Sequence, residues 1–361
     1  MKVALVYDRV NKWGGAERVL LALHKMFPNA PLFTSVHSDK GTDWAKDFEI
    51  KTSFLQSAVA LRKYNELLAV FMPIAFERFS FDDYDLVISV TSEAAKGIIT
   101  KEGTVHVCYC LTPTRYLWSG HDEYFNSPLL NFLSTGSVRY LRSWDKIASQ
   151  RPDHMIAIST EVKNRIKEYY SRSSEIIYPP LMLDVPKNIK KRKNDYFLLV
   201  SRMSRFSNYK RVDIAIDAFN KNGLPLKIVG SGPMMGSLKK RANKNIQFLG
   251  ELTDEKLRYY YENCKALIFP GNEDFGLVMA EAQAFGKPVI AFKSGGALDI
   301  VIKGITGEFF SEQSPQSLNK VLERFDERLY NKADIISNSE RFSYNNFKKN
   351  LEKFLETKTN L

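Results

Sequence analysis

The chain has 361 residues, 44% of them hydrophobic and 26% charged, an ordinary soluble composition that is too long for one typical core and predicts two domains. Its net charge of +11 is uneven: residues 1–178 hold 22 Lys and Arg against 20 Asp and Glu, and the remainder holds 30 against 21. No zinc finger, RNA-recognition motif or basic helical register accompanies the excess, which points away from nucleic acid, and the three cysteines lack any Cys/His spacing for zinc.

The N-terminal MKVALVYD begins on a strand, Lys2 to Tyr7, without the apolar core of a signal peptide, and no apolar run reaches membrane-spanning length. A reducing cytoplasm is expected, with Cys108 and Cys110 as buried thiols on one face of a later strand. Asp8 follows the first strand, and Gly14-Gly15-Ala16-Glu17 opens a helical stretch, Arg18 to Phe27. Such a loop either presents main-chain N–H groups to an anion or is a tight turn. From Lys51 to Phe81 the chain is rich in Leu, Phe, Ala and Met. It reads as core-facing helices interrupted at Pro73, or as a membrane-associated surface with Arg62 and Lys63 near headgroups.

Strands follow at Leu86 to Val90 and at Val105 to Cys110, the second carrying His106 and opening into Leu111-Thr112-Pro113-Thr114-Arg115-Tyr116-Leu117-Trp118. Polar and aromatic groups just past a strand end suit a carbohydrate, whose hydroxyls need hydrogen bonds and whose C–H faces pack on rings; alternatively the rings close the core. Arg139 to Arg151 is a basic amphipathic helix bearing Trp144, either solvated or touching a membrane. A strand from Met155 to Ser159, a helix from Glu161 to Tyr170 capped by Thr160, and an extended exit through Ile176 to Pro180 end the first domain, residues 1–180.

The basic run Lys187 to Lys193 reads as a solvated linker, residues 181–195. The second domain, 196–340, opens with the strand Tyr196 to Val200, then Arg202, and then Lys210-Arg211 before a helix. An Arg fork and a Lys point charge suit a diphosphate, though exposed basic residues also simply solubilise. Two further strands run into Gly230-Ser231-Gly232 and Gly250-Glu251-Leu252. The stretch Ala266 to Gly296 then gives a short strand, a Pro-Gly-Asn turn, a helix through Phe285, a Gly-Lys-Pro stop and a second strand, Val289 to Phe292. This crossover implies a parallel sheet with ligands at the carboxyl ends of its strands. Glu273 and Glu281 bracket Phe275-Gly276-Leu277, whose N–H groups at a helix start offer an anion site. Spacing alone favours a plainer reading, with Glu273 complementing the helix dipole and Glu281 a solvated charge.

The full string changes that judgement. Glu273-Asp274-Phe275-Gly276-Leu277, Glu281-Ala282, Gly286-Lys287-Pro288-Val289-Ile290-Ala291 and Gly295-Gly296 closely resemble the donor-binding signature of family-4 retaining glycosyltransferases. The resemblance implies an α/β chain of two facing Rossmann-like domains (GT-B type) with an interdomain cleft, and a C-terminal helix, 341–361, returning to the first domain. It implies that Glu273 contacts the transferred sugar, that the backbone at Phe275, Gly276 and Leu277 contacts sugar and phosphate, and that Glu281 holds the ribose hydroxyls. Arg202 and Lys210 would clamp the nucleotide diphosphate, Gly14 and Gly15 would face the donor phosphates, and the loops at Gly230, Gly232 and Leu252 would approach the base.

The segment from Tyr109 to Tyr116 resembles the YC-x-TP-x-RY loop of the bacterial O-antigen mannosyltransferase branch of that family, with Leu111 where a His is common. Asp8, His106, Thr112, Arg115 and Tyr116 are the acceptor-side candidates. The implied reaction is metal-independent transfer of a hexose, mannose from GDP-mannose, to a lipid-linked or growing bacterial surface glycan, with retention and no cofactor beyond the sugar nucleotide. A weak peripheral contact at the inner membrane face is expected. The alternatives are a UDP-hexose donor, a sugar-nucleotide epimerase, or a catalytically silent partner of a transferase complex, the last suggested by Leu111.

Overall fold

The computed structural model describes residues 1–57, 69–124, 128–183, 195–203 and 210–359. Most of the expected linker, and the part of the apolar stretch that holds Arg62 and Lys63, lie outside these residues. The chain divides into two compact units, Met1–Pro180 with Tyr344–Leu361, and Leu181–Ser343.

The first unit is built on strands β1 (Val3–Tyr7), β2 (Leu32–Thr34), β3 (Ile50–Thr52), β4 (Leu86–Thr91), β5 (Val105–Cys110), β6 (His154–Ala157) and β7 (Glu175–Ile176). They form one sheet in the order β3-β2-β1-β4-β5-β6-β7, parallel throughout. Strands such as VALVY are apolar without alternation because helices cover both faces of a parallel sheet, and every residue of β1 is buried. Phe76, Phe81 and Met72 pack on Ala4, Val6 and Val87 in one core cluster, so the described part of the apolar stretch is mainly interior. The helical stretch breaks at Val70 and Phe71, and Pro73 follows the break. It stands in the first turn of the helix Met72–Glu77, where its missing N–H costs nothing. The helix Thr160–Tyr170 is capped by Ser159, whose Oγ accepts from the Val162 N–H at 3.1 Å, one residue earlier than expected. The C-terminal helix Tyr344–Lys358 belongs to this unit, burying Phe347, Leu351, Phe354 and Leu355, with the Phe347 ring edge-on to Tyr109 of β5 at 6.0 Å.

The second unit holds β8 (Phe197–Val200), β9 (Leu226–Val229), β10 (Ile246–Gly250), β11 (Leu267–Phe269), β12 (Val289–Phe292) and β13 (Gly307–Phe310), again all parallel, in the order β10-β9-β8-β11-β12-β13. Phe197, Leu199, Phe219, Ile228, Ile268 and Ile290 share its core. Both units are Rossmann-like α/β sheets. In each the strand order reverses beside the first strand, at β1/β4 and at β8/β11, which is where such sheets open a crevice at their carboxyl ends.

Candidate functional site

In the second unit, the loops that leave β8, β9 and β10 are tied together by main-chain contacts. Gly230 (φ 126°) lies so close to the first of these that a Cβ on it would stand 2.0 Å from the Ser201 carbonyl oxygen, and one on Gly232 would stand 2.3 Å from that of Met203. The Met203 N–H donates to Ser231 O at 2.9 Å, and the Gly230 N–H to Gly250 O at 2.8 Å. The observed close approach at these two glycines is therefore of chain to chain. It leaves Arg202 exposed between anchored neighbours, and Leu252 half-buried on the loop after β10.

The loop after β11 is held more firmly. Gly276 (φ 86°) precedes the helix Leu277–Ala284, and a Cβ on it would meet Phe269 Cζ at 2.8 Å and Met279 Cε at 2.6 Å. From the β12 side, the Gly296 N–H donates to Glu273 O at 2.8 Å, and a Cβ on Gly295 would lie 2.3 Å from the same oxygen. The Phe275 ring is buried against Phe342 at 5.5 Å. Main chain from Glu273 to Leu277 is thereby fixed at a helix N-terminus, where N–H groups favour negative charge.

Two carboxylates flank it in different environments. Glu273 Oε1 lies 2.5 Å from Lys210 Nζ, and both side chains are largely buried, 18% and 13% exposed. The adjacent Arg211 adopts a left-handed conformation (φ 47°) and its guanidinium pairs with Asp213 at 3.1 Å, so of the two neighbouring cations it is Lys210 that meets the β11 loop. Glu281 is 3% exposed, and its Oε2 accepts from the Tyr261 hydroxyl at 2.7 Å. Tyr261 is itself fixed by stacking on Phe285, with ring centroids 5.5 Å apart and planes 12° from parallel. The reading of Glu281 as a solvated charge is thus overturned. The sequence does not single out Tyr261, which stands in a run of three tyrosines on the helix Asp254–Asn263 with nothing to say which ring turns inward.

In the first unit, Asp8 is an anchor. Its Oδ1 accepts from Thr91 Oγ1 at 2.8 Å and from the Ala94 and Ala95 N–H groups at 2.9 Å; its Oδ2 accepts from Ser92 N at 2.7 Å and Glu93 N at 3.0 Å. Five donors to one buried carboxylate fasten the end of β1 to the turn after β4, so Asp8 acts by positioning that turn. The group thereby presented is Glu93, paired with Arg9 at 2.9 Å, and burial pushes its carboxyl pKa above the usual range. Glu93 was legible only as a residue after a strand. Burial, and next the charge of Glu93, raises the Tyr116 hydroxyl well above its ordinary pKa. Thr112 is buried and Arg115 half-buried on the same loop.

His106 does not belong with the other acceptor-side candidates. It stands at the amino end of β5, opposite Val87, wholly buried, with Nε2 2.8 Å from Ser89 Oγ. Burial, followed by Arg172 and Arg151, lowers its pKa to about 3, which makes it a neutral core histidine. Gly14 and Gly15 do open the helix Gly15–Met26, but the buried Glu17 lies beneath them, accepting from the Tyr7 hydroxyl at 2.5 Å, and a Cβ on Gly14 would stand 3.2 Å from its Oε2. A carboxyl group there already complements the helix end, which weakens the expected fit of this loop to donor phosphates.

A second buried network centres on Asp145. Its Oδ1 meets Lys96 Nζ at 2.6 Å and accepts from Thr114 Oγ1 at 2.9 Å, while its Oδ2 accepts from Trp118 Nε1 at 2.8 Å and the Tyr170 hydroxyl at 2.7 Å. Lys96 and Asp145 are each 1% exposed. They hold the loop Leu111–Trp118 at the carboxyl end of β5. Nothing in the sequence distinguished them from surface charges.

Comparison with known proteins fits this picture. Residues 184–347 match the family described as glycosyl transferases group 1, a span that takes in most of the second unit. An uncharacterized glycosyltransferase of Methanocaldococcus jannaschii is 31% identical over 188 residues, 50% of this chain and 52% of that protein. O-antigen chain mannosyltransferase C of Escherichia coli is 27% identical over 171 residues, 44% of each. The chain thus spans about half the length of the curated relatives it matches. Among solved structures, Anabaena HepE in complex with UDP and glucose superposes with a TM-score of 0.70 at 20% identity, over 99% of this chain and 100% of that one, a likeness of fold.

Proposed function

We propose that the chain is a sugar-nucleotide-dependent retaining glycosyltransferase, moving mannose from GDP-mannose to a hydroxyl of a lipid-linked or growing bacterial surface glycan. The observation that carries this reading is the Lys210–Glu273 pair beside the buried Glu281, all set around a fixed helix N-terminus inside the residues that match the group 1 family. Lys210 and Arg202 would neutralise the departing diphosphate together with the N–H groups at Leu277, an electrostatic contribution that makes a metal ion unnecessary. Glu281, pinned by Tyr261, would accept from the ribose hydroxyls. Glu273 would share its two oxygens between Lys210 and a hydroxyl of the transferred sugar.

No carboxylate is offered as a covalent nucleophile. The acceptor oxygen would attack C1 from the face the diphosphate leaves, the C1–O bond to phosphate breaking as the new one forms and the acceptor proton passing to the departing phosphate oxygen. Screening GDP- and UDP-hexoses for nucleotide release, with and without added glycan acceptor, tests the proposal. Release from GDP-mannose that rises with acceptor supports it; interconversion of sugar nucleotides without acceptor would make the chain an epimerase, and nucleotide binding without turnover a silent partner. The likeness to a fold that holds UDP and glucose is the reason to include UDP-hexoses.

A further inference from the structure

We propose that the first unit carries a separate site for an organic phosphate or diphosphate, in a cavity of 560 Å³ between the loop that ends at Trp118 and the helix Pro128–Ala148. One wall is Trp118 and His121, and the other presents Arg139, Arg142 and Lys146. These cations stand at i, i+3 and i+7, so they share one helix face. Three like charges along one face repel one another, and the acid nearest them in sequence does not compensate. Asp145 is buried and turned to Lys96, Thr114, Trp118 and Tyr170. Beside His121 stands the exposed Asp122, 3.2 Å from His121 Nδ1.

The geometry suits a phosphate ester. Arg142 Nε is taken by Leu117 O at 2.6 Å, and among the described residues its terminal nitrogens and the whole Arg139 guanidinium have no protein hydrogen bond. Two such forks can meet phosphate oxygens in pairs, with Lys146 as a point charge. The Trp118 ring is a rigid platform. Its Nε1 is fixed on Asp145, and it stacks on Tyr169 at 5.2 Å and 15°. The Arg142 guanidinium and Lys146 Nζ lie 5.7 and 5.5 Å from its centroid. Trp118 and the mostly buried Val138 are the apolar part of the lining. Trp118 also ends the loop that bears Thr112, Arg115 and Tyr116, so the occupant is assigned as the phosphate-bearing end of the acceptor. That assignment rests on the transferase reading above.

Calorimetric titration of the full chain, at low salt and with the donor site saturated by GDP, with inorganic pyrophosphate and with geranyl diphosphate tests the site. Both should bind, and Arg139→Ala/Lys146→Ala, exposed positions on a helix surface, should weaken both by at least about tenfold while GDP affinity is unchanged. Arg139→Lys/Lys146→Arg should retain most of the affinity. Lys210→Ala should weaken GDP and leave geranyl diphosphate alone. Tighter binding of geranyl diphosphate than of pyrophosphate supports a lipid-linked ligand, equal affinities a soluble phosphate ester. Absence of binding by either probe, or affinities untouched by the double substitution, overturns the proposal. Intact pyrophosphate binding in a chain that turns over no sugar nucleotide would sink the transferase reading and leave this site standing.

Discussion

Lys210 and Glu273 lie 2.5 Å apart in a largely buried setting, so each fixes the other's position and neither is replaceable by a solvated charge. Lys210→Ala and Arg202→Ala should each lower kcat/KM by roughly two to three orders of magnitude, as removal of a charge-stabilising donor from a closed site does. Glu281→Ala should instead weaken binding of the free nucleoside diphosphate. Steady-state kinetics beside nucleotide titration separates the two effects, and wild-type turnover in a folded Lys210→Ala protein would remove it from the mechanism. His106 gives a stability prediction with a definite sign. Its pKa is lowered to about 3 from an ordinary 6.5, so the unfolded chain takes up a proton that the folded chain refuses once pH falls below 6.5. Stability is complete above that value and declines toward pH 3, by about 2 kcal/mol on reaching pH 5. His106→Gln should abolish this component, read as a smaller shift of the first unit's urea midpoint between pH 7 and pH 5; an unchanged shift would mean the histidine protonates within the fold.

Elements position these residues through turns whose glycines have no substitutes. Gly295 and Gly304 both adopt left-handed conformations, φ 56° and 77°, but a Cβ on Gly295 would lie 2.3 Å from Glu273 O, whereas one on Gly304 would meet nothing within 4 Å. Both alanine variants should lose about 1–2 kcal/mol to backbone strain. Gly295→Ala alone should also displace the β11 loop and raise the donor KM several-fold, and equal kinetics in the two variants would contradict the role assigned to that loop. At this scale much was readable beforehand. The unbroken apolar runs and Gly/Pro stops from Ala266 to Gly296 gave the crossover, and the glycines marked the tight turns. Side-chain direction was not readable: Asp8, Lys96, Asp145 and Tyr261 owe their roles to partners far away in sequence, and His106 to the end of a strand on which it falls. Likewise, a Gly-Gly pair cannot announce the carboxyl group folded beneath it.

At the level of the whole molecule, the two parallel sheets reverse strand order beside β1 and β8, and the loops discussed above leave the carboxyl ends of those strands. Among the described residues no helix is long and apolar enough to cross a membrane. A peripheral contact remains a proposal, motivated by Phe54, Phe71 and Ile74 exposed on the first unit and by Tyr140 and Ile147 exposed beside Arg139 and Lys146. Residues 1–178 have an excess of only two basic groups, so attraction would rest on local clusters worth about 1 kcal/mol per cation near an anionic surface. Binding to anionic vesicles at low salt that fades as salt rises is the expected result; equal partitioning onto neutral vesicles would leave these as ordinary surface residues.

The central claim, sugar transfer with retention, is tested most directly by following the anomeric proton and carbon signals by NMR while the chain consumes GDP-mannose, an α-linked donor, in the presence of a lipid-linked glycan acceptor and EDTA. The account predicts that a new α-mannosyl linkage grows as GDP appears, and that the Lys210→Ala protein produces neither. A β-linked product, a strict requirement for added metal, or a folded chain that consumes none of the GDP- and UDP-hexoses would contradict it.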